Sequence, residues 1–359
     1  MSKNWLDISI FGWVLLLLGS CISPLDIDQR LENNENILVV QGQVFQGVQP
    51  AEVRLSRVVS FASQIVDVVP GAQITIRDDQ GFSETFREVE PGVYRTEGNR
   101  LVGAVGRSYE LEIELITGRR YLSRPEVMPV GVPIKSVYTN VFQFEDFNEQ
   151  GFPINYPAVR YRWDVDIPDL NRGPYLRWSW DAAWQFTEAD LEPNNPFVNP
   201  KTCYIRAIDD PQRILLFNGD VNSIRNIQGL IGPSNRLNYE YEIRHVFNLY
   251  QHSISAQAYE YWQDVDAVVN QVGSVFDAPP AAVRGNVYNP EDEGEIVLGY
   301  FEATAIDTMR LSLNRTNFPG YNILTFCEPD FRFFPPRYSP PCLDCLQLSN
   351  SSLERPDYF

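Results

Sequence analysis

Histidine, lysine and methionine are scarce in this chain of 359 residues. Its histidines are His245 and His252, its lysines Lys3, Lys135 and Lys201, and it holds 3 methionines. A histidine-based triad would have to use His245 or His252, and His245 falls on an apolar face where a core histidine is the expectation. Gly-x-Ser-x-Gly, His-Glu-x-x-His and phosphate-loop patterns are all absent, which removes the commonest nucleophilic, zinc-hydrolase and nucleotide chemistries. Positive charge is short as well: 29 basic residues face 47 acidic ones, for a net charge of −18 and an isoelectric point near 4.6. Such a balance excludes nucleic acid as a partner, because phosphates need a basic face. Acidic residues are abundant enough that carboxylate pairs for a glycosidase are unavoidable, yet nothing marks one pair out. Asp164, Asp166 and Asp169 lack the spacing and glycine of a calcium loop. The expectation is a protein that is not an enzyme, with no cofactor and no metal.

Long apolar runs are missing too. The longest, Ile8 to Leu18, has eleven residues, too short to span a bilayer but right for the apolar core of a secretory signal. It ends in Leu18-Gly19-Ser20-Cys21, which resembles the lipobox of bacterial lipoproteins, although Asp7 makes the leader less basic than usual. The expectation is a signal peptide over residues 1–20, cleavage, and lipidation of Cys21. Residues 21–36, polar, acidic and aperiodic, read as a tether. The acyl chains on Cys21, not the acidic body, would then hold the protein to the membrane.

Four cysteines remain: Cys203, Cys327, Cys342 and Cys345. An even number in an exported chain points to two disulfides, with three possible pairings. Cys342-Leu-Asp-Cys345 has metal-knuckle and redox spacing, but it lacks a second such pair and a nearby histidine, so structural bridges are preferred. Proximity favours Cys327 with Cys342 or Cys345.

Along residues 37–130, short alternating strands are punctuated by turns. Tyr109, Leu111, Ile113 and Leu115 alternate with glutamates, and Ala72, Ile74 and Ile76 with polar residues. This predicts a small immunoglobulin-like or transthyretin-like sandwich. Val130-Gly131-Val132-Pro133 marks a boundary, and residues 131–328 read as a larger β-rich domain. There Val159, Tyr161, Trp163, Val165 and Ile167 share one strand face, and Tyr239, Tyr241, Ile243, His245 and Phe247 share another. One main helix is predicted over residues 253–272, capped by Ser253 or Ser255 and covering a sheet. Trp178, Trp180 and Trp184 are candidates for a sugar-stacking platform. They alternate with Arg177 and Ser179 as core residues do, so core packing is the first reading. Residues 329–359 read as a proline-aromatic strap in which Phe331, Phe333 and Phe334 are candidate partner contacts. The fold class expected is mainly β, a sandwich followed by the larger β-rich unit with its helix.

Several motifs go beyond periodicity: Leu38-Val39-Val40-Gln41-Gly42, Val53-Arg54-Leu55-Ser56, a helix leading into Phe276-Asp277-Ala278-Pro279-Pro280, then Gly285-Asn286, Leu298-Gly299-Tyr300-Phe301-Glu302-Ala303, and the late Cys-x-x-Cys. In these the chain resembles a lipoprotein family known as domain of unknown function 4249, whose pattern more often has a proline where Ala278 stands. The resemblance covers most of the chain, and its motifs are structural. It implies an accessory lipoprotein of TonB-dependent outer-membrane transporters, resembling in role the lids of starch-utilisation importers. The expected function is therefore a non-enzymatic, lipid-anchored subunit of an outer-membrane β-barrel complex, at the cell surface or on the periplasmic face. The alternative is a free-standing surface lipoprotein that binds a glycan or a peptide.

Overall fold

The computed structural model describes residues 37–58, 67–98, 100–170, 173–192, 199–207, 214–222, 224–270, 283–335 and 337–359. The signal, Cys21, the tether and the motif at residues 276–280 lie outside them. The described chain is mainly β, as its alternation predicts.

Its first part contains β1 (Leu38–Phe45), β2 (Glu52–Arg57), β3 (Asp67–Val68), β4 (Gln73–Asp78), β5 (Ser83–Thr85), β6 (Arg87–Glu90), β7 (Val93–Arg95), β8 (Ser108–Glu114), β9 (Arg120–Ser123) and β10 (Glu126–Val127). The second contains β11 (Ile134–Phe147), β12 (Pro153–Asp166), β13 (Tyr175–Thr187), β14 (Thr202–Ala207), β15 (Leu215–Asn218), β16 (Asn226–Arg236), β17 (His245–Ile254), α1 (Ala256–Asn270), β18 (Val287–Tyr288), β19 (Val297–Leu313) and β20 (Ser351–Ser352).

Two sheets close the first core. In one, β6, β7, β2 and β1 lie side by side; in the other, β5, β4, β8, β9 and β18 do. Val40, Val53 and Leu55 from the former meet Ile74, Ile76, Leu111 and Ile113 from the latter. Inward positions repeat every second residue, so Tyr109, Leu111 and Ile113 of β8 are buried beside exposed or half-buried glutamates. Residues 37–130 do not complete this core. Val287, Val297, Phe301 and Ala303 join it from the far end of the chain.

They do so because β19 serves both halves. Val297–Thr304 pair in parallel with β1, while residues 305–313 run antiparallel to β17. One continuous sheet, in the order β20-β14-β13-β17-β19-β1-β2-β7-β6, results. The Gly-Asn and Leu-Gly-Tyr-Phe motifs meet at this junction. A Cβ on Gly285 would collide with the carbonyl oxygen of Gly299, which itself has a φ of +85°. That close approach lets Asn286 clamp the strand: its Nδ2 donates to Phe301 O at 2.8 Å, and Phe301 N donates to its Oδ1 at 2.9 Å.

The second core lies between the antiparallel sheet β11-β12-β16 and the β13-β17-β19 part of the long sheet. Val159, Tyr161, Trp163 and Val165 point inward from β12 as their spacing predicts, against Leu176, Trp178, Phe247 and Leu249. The strand expected around Tyr239 is a different structure. Asn238 Oδ1 accepts from Glu240 N at 3.0 Å and caps a 3-10 turn over Tyr239–Tyr241, so β17 begins only at His245. Ile243 is left exposed.

On the opposite face of the long sheet sits α1. Ser255 caps it, its Oγ accepting from Ala258 N at 3.0 Å. Ala258 is buried, and Tyr259, Tyr261 and Trp262 pack around Ile254 and Tyr300. Strand β13 is therefore covered on both sides, which buries Arg177 as well as Trp178. No helix among the described residues is long and apolar enough to cross a membrane.

Candidate functional site

Two places combine exposure or cavity space with unusual chemistry: the tail loop and a hollow under α1.

The tail is bound to its own body. Cys203 bridges Cys345 and Cys327 bridges Cys342, so the Cys-x-x-Cys pair is split between two disulfides and tied to β14. The expected two bridges are present, including the preferred use of Cys327. Cys345 N also donates to Glu188 Oε1 at 3.0 Å, β20 pairs with β14, and the Phe359 ring is buried against Ala183 and Val246. Between these anchors one loop projects. Asp330 N donates to Arg337 O at 2.7 Å, closing the loop just inside the Cys327–Cys342 bridge. The Asp330 carboxylate takes Arg332 in a two-point contact, which with the backbone N–H of Arg332 holds the acid at about 2. Phe331, Phe333 and Phe334 are 78 %, 43 % and 100 % exposed on this loop. Arg337 lies over the Phe333 ring at 4.3 Å.

The three tryptophans are placed differently. Trp178 is buried and donates to Gln251 Oε1 at 2.8 Å; Trp180 is half-buried against Trp163. Trp184 is half-buried and stacks with His245, 6.3 Å away. Together they do not make an open stacking face. His245 lies among Trp184, Tyr161 and Tyr241, fully buried, and burial alone pushes its imidazole down to about 3. Neither ring nitrogen has a hydrogen-bond partner among the described residues.

The hollow under α1, a half-open cavity of about 380 Å³, was not anticipated from the sequence. Arg177 and His252 stand opposite each other on β13 and β17. Arg177 Nη2 is 3.4 Å from Glu302 Oε1, and Trp262 Nε1 donates to Glu302 Oε2 at 2.7 Å. The guanidinium lies over Trp262 at 4.3 Å. Ser179 Oγ and His252 Nε2 are 2.9 Å apart. Burial, with the Arg177 charge beside it, pulls the His252 imidazole well below its ordinary range, so it is neutral at pH 7. Arg177 Nε and His252 Nδ1 are buried with no partner among the described residues.

Behind the cavity wall, Glu126 accepts from Ser255 Oγ at 2.7 Å, from Asn286 Nδ2 at 3.3 Å and from the Tyr300 hydroxyl. Burial raises this carboxyl to about 7 against the pull of those donors, and the Glu302 charge adds to the rise. These contacts were illegible in the sequence: Arg177 and Glu302 are separated by 125 residues, Glu126 and Tyr300 by 174. The available signal was Arg177 beside the alternating tryptophans of β13.

Comparison with known proteins adds one decisive finding. The profile of a family described as domain of unknown function (DUF4249) matches residues 22–310. The chain belongs to this family. The matched stretch of the DUF4249 protein includes the Gly285–Gly299 junction and the cavity residues, and ends inside β19 before the projecting loop. No curated protein and no solved structure matches the chain.

Proposed function

We propose that this DUF4249 protein is a non-enzymatic lipoprotein, anchored in the outer membrane through Cys21, that serves as an accessory subunit of a TonB-dependent transporter or a comparable envelope β-barrel. The observation that carries the reading is the loop with Phe331, Phe333 and Phe334. A loop closed by a disulfide and a two-bond backbone bridge presents rings that contribute nothing to the protein's own core. Covering an exposed phenylalanine is worth roughly 1.5–3 kcal/mol, so three such rings can decide a contact. Confinement of a lipidated protein to the membrane plane raises its effective concentration beside a barrel, so a modest contact suffices. The lipobox at Leu18–Cys21 supports the anchor, and the resemblance of the motifs supports the class of partner.

The test is affinity isolation of the full-length protein from cross-linked outer membranes. An integral β-barrel should co-isolate, and its recovery should fall at least tenfold with the triple variant F331S/F333S/F334S, whose melting temperature should match the parent. Elution of the parent alone, or undiminished recovery with the variant, contradicts the reading. Cys21→Ala should release the protein from the membrane fraction. The cavity under α1 favours the second reading, a free-standing surface lipoprotein that binds a glycan or a peptide.

A further inference from the structure

We infer that the cavity beneath α1 is a binding site for a small organic carboxylate, gripped by Arg177 and His252. The inference stands whether or not the protein docks on a barrel. It starts from what the cavity wall leaves unsatisfied. Arg177 is 8 % exposed and His252 is 6 % exposed, yet Nε of the first and Nδ1 of the second have no partner among the described residues. A buried donor without an acceptor is costly, and more so when charged. Both side chains line the same half-open cavity.

The missing group is an acceptor. Arg177 Nε–H can only donate. We assign the neutral His252 the tautomer in which the Ser179 hydroxyl, 2.9 Å away, donates to Nε2 and Nδ1 carries the proton. Arg177 and His252 are cross-strand neighbours on β13 and β17, and a planar carboxylate offers two oxygens to their two N–H donors. The charges around the cavity set the ligand's charge. Glu302 is occupied by Arg177 and Trp262, and Glu52 at the mouth is held by both Arg54 and Arg95. With those pairs closed, the lining is close to neutral inside a protein of net charge −18. A monoanion is accepted there; a phosphate dianion would meet two carboxylates with too few donors. Tyr300 and Tyr261, stacked at 4.7 Å, provide an apolar wall for the rest of the ligand. A volume of about 380 Å³ suits a molecule of amino-acid to dipeptide size.

Calorimetry on the full-length chain tests this with acetate, benzoate and N-acetylphenylalanine, each against its primary amide, and with methyl glucoside as a neutral polyol. At least one acid should bind, and at least tenfold more tightly than its amide. The R177Q/E302Q variant replaces the ion pair by two amides of similar shape and should abolish the preference. Should it fail to fold, Arg177→Lys keeps the charge without the Nε–H and should weaken the acid at least threefold. A preference for benzoate alone would identify an aromatic acid; a preference for N-acetylphenylalanine alone, the end of a peptide. Equal binding of acids and amides, binding of methyl glucoside only, or no binding at all overturns the inference.

Discussion

Glu126 is where a single residue joins the two halves of the molecule. It sits on β10 at the edge of the first sandwich, and its carboxyl reaches the cap of α1 through Ser255, the junction clamp through Asn286, and β19 through Tyr300. The native state raises its pKa from 4.5 to about 7, so folding tightens its hold on a proton. The stabilisation this brings is complete below pH 4.5 and is lost as the pH climbs through 7. At about 1.4 kcal/mol per pH unit between 4.5 and about 7, the full loss is about 3.5 kcal/mol. Glu126→Gln keeps the acceptor for Tyr300 and Asn286 and cannot ionise. Its melting temperature should equal the parent's near pH 4.5 and exceed it increasingly up to pH 8; parallel curves would show that the carboxyl stays protonated or is solvated. Residues such as Glu126, Arg177 and His252 were unreadable in the sequence because their contacts are made by partners 73 to 174 positions away. Tyr109, Leu111 and Ile113, whose burial follows from local alternation, were legible at once.

At the scale of elements, local pattern again divides what was legible from what was not. The twofold period of β8 and β12 and the helical spacing of α1 are properties of short windows, and each element forms where its window places it. The parallel pairing of β1 with β19 is a crossover between distant segments, and no window contains it. Only the Gly-Asn and Leu-Gly-Tyr-Phe motifs hinted at it, through glycines needed for close backbone approach. The tryptophans do not share one open face: β13 is covered on both sides, with Trp178 buried and Trp180 and Trp184 half-buried. The two disulfides make different demands. Cys203–Cys345 closes a separation of 142 residues and Cys327–Cys342 one of 15. Chain entropy assigns them about 5 and about 3 kcal/mol respectively. C203A/C345A should therefore lower the melting temperature more than C327A/C342A, which should mainly loosen the base of the phenylalanine loop. The reverse order in calorimetry would mean that the tail is held by its packing around Phe186 and Phe326 and not by the long bridge.

For the whole molecule, the proposed anchor at Cys21 and the proposed contact at the phenylalanine loop must act together. Under the proposed anchor a strongly acidic body would keep its distance from anionic lipid, and the two most exposed phenylalanines among the described residues, Phe331 and Phe334, lie on one disulfide-closed loop. The sequence marked Phe331, Phe333 and Phe334 as part of a strap; it did not reveal that both flanks of the strap bind the protein's own sheet and leave only the loop free. Phe334, fully exposed, is the position from which a partner is best caught. With p-benzoylphenylalanine in place of Phe334 in the full-length protein, irradiation of intact cells should yield one dominant adduct. Mass spectrometry should find in it an integral outer-membrane β-barrel. Absence of any adduct, or adducts formed equally by the variant that lacks Cys21, would contradict the docking account.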